Sequence, residues 1–245
     1  MGHGVTFPAT QVTPIYREAH ASLTHQRLSM NDEYSNLTVV CGSLTFKVHK
    51  AVLCYQSSFS RAACQQDTFK EGQENLITLR ARTGLGDADD GADDPDLVNV
   101  MMNSFYNMDL DYLLDGFFEW LLVYSRLFIL ADKYGIPGLQ DLCHVGFDDG
   151  MLTHASDLLC TGIEHRDFWT TTIKIVFTDA PHHLDELRDV AFDALACPHV
   201  RLLEDEVIRS AVDAIESLSC DLLLRAREEQ RTGKRHTCRF CVQKG

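Results

Sequence analysis

Between Leu37 and Val48 apolar and polar side chains exchange with a period of two, and this segment narrows the possible folds more than any other. Leu37, Val39 and Cys41 share one side, Gly42-Ser43 offers a two-residue turn, and Leu44, Phe46 and Val48 alternate with Thr45 and Lys47. That pattern predicts a β-hairpin with one buried face. Leu76 to Leu79 supplies a third short strand. So little sheet cannot bury itself, and the rest of the chain must cover it.

The covering elements are helical. Ala51 to Leu53 lead into Ser57-Ser58, which caps a second short helix whose Phe59, Ala62 and Ala63 follow at i, i+3 and i+4. Gly84 to Asp94 has no apolar period and predicts a solvated loop. Asp94-Pro95 is a helix start, with Leu97, Val98, Met101, Met102 and Phe105 as the buried face. Phe117 to Tyr134 is apolar on nearly all sides, as in a helix surrounded by others, and Gly135-Ile136-Pro137 ends it. Glu119 and Arg126 interrupt its stretch from Phe117 to Ala131, which falls short of the ~20 apolar residues needed to span a bilayer. A buried core helix is expected, not a membrane span. The core of this module closes near residue 148. From 151 to 226 only helical periods occur, for example Leu184, Leu187, Ala191 and Leu195, then Val207, Ala211, Ala214 and Leu218. Strands confined to the first third predict an α+β fold followed by an all-helical C-terminal extension.

Charge and cysteine usage bound the function. The 36 acidic and 22 basic residues give a net charge of −14, which repels phosphate backbones and argues against nucleic acid as a partner of the main body. The nine cysteines are odd in number and many fall in apolar periodic segments, which suits free thiols in a reducing compartment. The first residues have neither a basic flank nor an apolar core, so an intracellular protein, in nucleus or cytoplasm, is expected.

Taken together, Tyr34-Ser35-Asn36-Leu37-Thr38-Val39-Val40-Cys41, then Phe46-Lys47-Val48-His49-Lys50-Ala51-Val52-Leu53-Cys54 and Ser57-Ser58-Phe59, closely resemble the opening of a BTB/POZ domain. Phe69-Lys70-Glu71, the Asp94-Pro95 helix ending in Phe105-Tyr106, and the run from Leu130 to Leu139 resemble later signatures of that family. The likeness runs from about Met30 to Phe147 in the style of short, stand-alone fungal members. It divides the chain into an N-terminal segment (1–30), a BTB/POZ domain (31–150), a helical extension (151–225) and a basic, Cys-containing tail (226–245). The resemblance implies a small sheet capped by a helix cluster, usually dimeric, that recruits protein partners without catalysis. Ile15, Ala19 and Leu23, at steps of four in a polar stretch, are then the candidate dimerisation residues. Many relatives are substrate adaptors of cullin-type ubiquitin ligases and others regulate transcription. In such adaptors a hydrophobic residue, any residue and an acid after the second helix contact the cullin, a pattern Phe69 and Glu71 fit. The same pair can equally serve internal packing and capping. Asn36 stands where the family usually has Asp, and Arg80 to Asp94 and Tyr112 to Phe118 are longer than usual. Kelch repeats, a substrate-binding sandwich and tandem zinc fingers are missing from the sequence.

His236, Cys238 and Cys241, with Cys220, offer ligand types for zinc, but the spacing matches no standard finger and no metal or other cofactor is assigned. Arg225, Arg227, Arg231, Lys234, Arg235, Arg239 and Lys244 make the tail basic, which supports the alternative of a nuclear transcriptional regulator using the tail for zinc or nucleic acid. His49 and Cys54 are the nearest approach to a Cys–His nucleophile pair, but sit where a structural histidine and a buried, inert thiol are expected. His182-His183 lacks acidic partners at metal-site spacing and reads as surface. The Asp87 to Asp96 run lacks the ligand alternation of a calcium loop and reads as solvated. With no catalytic or phosphate-binding motif, a non-enzymatic interaction protein is the expectation.

Overall fold

The computed structural model describes residues 34–65, 69–82, 92–106, 110, 120–154, 163–181, 183–197 and 202–232. The hairpin forms as its alternation predicts. β1 (Leu37–Cys41) pairs antiparallel with β2 (Leu44–Val48), with Leu37 opposite Val48 and Cys41 opposite Leu44. Gly42 supplies the positive φ of the turn. β3 (Leu76–Leu79) lies parallel to β1 on its other edge, giving the order β2-β1-β3. A parallel pair needs a crossover. Here it is made by α1 (Lys50–Gln56), α2 (Ser58–Ala63) and α3 (Lys70–Glu74).

Helices bury one face of this sheet. α4 (Pro95–Ser104) starts at Asp94, whose side chain accepts the Asp96 N–H, and buries Leu97, Val98, Val100, Met101 and Met102. α5 (Trp120–Lys133) is sheltered almost all round, and it turns at Gly135 into α6 (Pro137–His154). Gly135 has φ +57, a conformation that a side chain disfavours. α5 and α6 approach closely because Gly146 presents no side chain: a Cβ there would run into the ring of Tyr124. The domain boundary drawn at 150–151 falls inside α6, and the apolar core continues unbroken from Leu37 to Leu218.

Beyond α6 the described elements are all helical. α7 (Ile163–Lys174) runs into a π-helical segment, Ile175–Asp179. α8 (Asp185–Ala196), a 3-10 turn (Leu202–Glu204), α9 (Glu206–Asp213) and α10 (Glu216–Thr232) follow. A widened turn leaves carbonyls without helical partners. Arg188 from α8 collects them, its Nε donating to Val176 O at 3.1 Å and its Nη2 to Ala180 O at 2.6 Å. Ion pairs Arg166–Asp205 and Arg225–Asp193, each at 2.9 Å, tie the extension together. No helix among the described residues is long and apolar enough to cross a membrane.

Two helical faces differ from expectation. On α9 the buried residues are Ile208 and Val212, while Val207 is 41% exposed and Ala214 lies past the helix end. Both rows have helical spacing, but Asp205 caps the Val207 and Ile208 N–H groups, which fixes the start and turns the second row inward. On α2 the buried residue is Ser60, and Phe59 and Ala62 face outward. The solvated reading of the acidic run also fails at Asp93, which is buried and bonded along its backbone to Arg80 and Arg82.

Candidate partner-binding face

The first crossover helices carry exposed aromatic side chains on a tightly fastened base. Tyr55 in α1 is 83% exposed, Phe59 in α2 39%, and Phe69 just before α3 45%. Asn36 Oδ1 accepts the first N–H of α1, from Lys50, at 2.8 Å, because His49 at the cap position makes no side-chain cap bond. An uncharged amide thus fills a capping place at the position where the family carries Asp. At the other end of α1, Gln56 Nε2 donates to Phe105 O at 2.9 Å. Tyr106 from the end of α4 accepts the His49 N–H at 3.0 Å and lies 3.2 Å from the His49 ring.

α2 is fastened just as closely. Ser57 Oγ accepts from Ser60 N at 3.0 Å, capping α2, and donates to Tyr134 O at 2.7 Å. Ser58 N donates to Gly135 O, and the Phe59 ring stacks edge-on against Tyr134 with centroids 5.0 Å apart. Tyr134 in turn donates to Asp93 Oδ2 at 2.5 Å, and Lys133 lies 2.6 Å from Asp93 Oδ1. Burial, and then Asp93, pushes the Tyr134 phenol well above its usual range. A buried carboxylate therefore locks the α5–α6 turn that supports α2.

Phe69 and Glu71 lie at the start of α3: Phe69 occupies the N-cap position without a side-chain cap bond, and Glu71 is the acid of the first turn. Phe69 is half exposed, Glu71 is half-buried, and Gly72 behind them packs on the Gln65 carbonyl, where no Cβ would fit.

The remaining candidates fall elsewhere. Ile15, Ala19 and Leu23 lie outside the described residues, as do His236, Cys238 and Cys241. Cys220 is an exposed free thiol on α10, and among the described residues no three His, Cys, Asp or Glu side chains gather as metal ligands. His49 is bonded to Tyr106 and Cys54 to Ser60 O, so the two do not form a nucleophile pair. Cys54 is half-buried rather than buried. His183 does meet an acid, Asp132, at 3.1 Å, a pairing across 51 positions that local spacing could not reveal. Arg225, counted in the basic tail, is committed to Asp193 and stacks over Phe192. An open cleft of about 620 Å³ beside α4 and α5 carries Arg82, Arg126 and Lys133 against Asp93, Asp94 and Asp179, so its charges balance and favour no partner of either sign.

The order of these elements, with a parallel β3 reached through short helices and Phe69-Lys70-Glu71 ahead of it, meets an independent match. The BTB/POZ domain family model matches residues 25–83. The chain carries a BTB/POZ domain. The match takes in the BTB/POZ hairpin, α1, α2, α3 and β3, and so includes every exposed aromatic described on this face. A BTB/POZ domain is a protein–protein interaction module, in keeping with exposed aromatics on a rigid base. No curated protein matches the chain.

Proposed function

We propose that this BTB/POZ protein is a homodimeric adaptor or scaffold whose α1–α3 face, through Phe69 and Glu71, engages a cullin-type ubiquitin ligase. One observation carries the reading: an aromatic and an acid two residues apart are held at the start of α3, with Phe69 half in solvent. A free protein gains nothing by exposing such a ring, whereas a partner that buries it gains an anchor of the kind that dominates binding energy. Ile15, Ala19 and Leu23 are proposed to bury one another across a two-fold dimer. The free thiols of the described residues support placement in a reducing, intracellular compartment.

Light scattering on the full chain tests the assembly. A mass of twice the 27.6 kDa chain at micromolar concentration is expected, reverting toward the single chain when Ile15 and Leu23 are changed to Asp. A strictly monomeric mass for the unaltered chain would contradict the dimer.

A further inference from the structure

Two cysteines of the first helix pair meet at one carbonyl, one through its thiol and one through its backbone. Cys54 Sγ in the last turn of α1 donates to Ser60 O at 3.5 Å, and the backbone N–H of Cys64, which ends α2, donates to the same oxygen at 3.0 Å. The shared carbonyl brings the two residues together, and the Cys64 side chain interacts with that of Cys54. Both residues are free thiols and half-buried. Arg61 fixes the junction from outside, donating Nε to Cys54 O at 2.9 Å and Nη2 to Tyr55 O at 3.2 Å.

We propose that Cys54 and Cys64 are a dithiol site that closes reversibly to a disulfide under hydrogen peroxide. Cys54 reacts first. Burial, followed by the hydrogen bond to Cys54, holds the Cys64 proton up to about 11, so Cys64 is a poor first nucleophile. The S–H it offers steadies negative charge developing on the Cys54 sulfur. The Cys54 sulfur attacks one peroxide oxygen, the O–O bond breaks, and the released hydroxide takes up the thiol proton as water, leaving a sulfenic acid. The Cys64 sulfur then attacks the Cys54 sulfur. Its proton goes to the departing hydroxyl, the S–O bond breaks, and a second water leaves. Two sulfurs lose two electrons in all, and the two peroxide oxygens gain them. The bridge ties α1 to the end of α2, just ahead of Phe69, and so stiffens the segment that leads to the partner face.

Peptide mapping of the full chain after peroxide treatment tests the site without any variant. Cleavage after Lys50, Arg61 and Lys70 places the thiols on separate peptides, 51–61 and 62–70. The expected result is that these two are joined, with the loss of two hydrogens, and separate again on treatment with dithiothreitol. Cys54→Ser should abolish the joined species, and Cys220→Ser should leave it unchanged. Peptides that stay separate at a peroxide dose that oxidises the exposed Cys220, or Cys54 joined to any other cysteine, would overturn the proposal. The readout is the cross-link itself, so loss of cullin binding by Phe69 and Glu71 variants would leave it standing, and its failure would leave that reading standing.

Discussion

Asp93 shows how much a single side chain can organise. Its carboxylate takes the Tyr134 hydroxyl and the Lys133 ammonium, while its backbone bonds to Arg80 and Arg82, so β3, the start of α4 and the end of α5 meet on one residue. Tyr134→Phe keeps the packing and removes one donor, leaving a buried carboxylate oxygen unmet. A loss of about 1–3 kcal/mol is expected in chemical denaturation. The same neighbourhood governs alkaline stability. Burial, with lesser contributions from Asp93 and Asp94, raises the Cys41 thiol from 9.0 to about 11, and Tyr134 is raised as well. In that range the native state keeps protons that the unfolded chain releases, so this stabilisation is complete below pH 9.0 and is lost as the pH climbs through about 11. The melting temperature should fall over that window, and less steeply in Cys41→Ala; parallel slopes would contradict the assignment to Cys41. None of this was legible in the acidic run. Asp93 sits in the same Ala-Asp-Asp sequence setting as Asp89, and its partners Lys133 and Tyr134 lie about forty positions away.

Elements were legible where a single physical demand set the pattern. The hairpin and β3 emerged at their observed bounds because a sheet with one buried face enforces strict alternation. The helix starts at Ser57 and Asp94 were visible because capping is a local event. The face of α9 differs because a short amphipathic helix offers two apolar rows at similar spacing and only distant packing chooses between them, whereas on α2 the inward place is taken by Ser60, whose N–H bonds to Ser57. The close approach of α5 and α6 also depends on an absence that sequence patterns do not advertise, the missing side chain of Gly146. Gly146→Val should force the Tyr124 ring aside and cost about 1–3 kcal/mol, whereas Asn36→Ala, which removes only the cap of α1, should cost about 1 kcal/mol. Thermal unfolding of the two variants checks the order.

At the scale of the whole molecule, a BTB/POZ domain and a helical extension share one apolar core, and the exposed aromatics Tyr55, Phe59 and Phe69 stand on the side built by the first crossover. The family was readable because its motifs are local and ordered; the exposed aromatics of the proposed partner face were only partly readable. Phe69 and Glu71 could be picked out by likeness, but Tyr55 and Phe59 were not, since nothing in their immediate sequence distinguishes an exposed ring from a buried one. A titration calorimetry experiment bears most directly on the account. Purified full chain is titrated with the N-terminal region of a cullin, in parallel with Phe69→Ala/Glu71→Ala protein shown by thermal unfolding to be folded. Saturable binding that weakens by about tenfold or more in the double variant is expected, as for the loss of an aromatic anchor. No heat of binding with the unaltered chain, or equal affinity for both proteins, would contradict it.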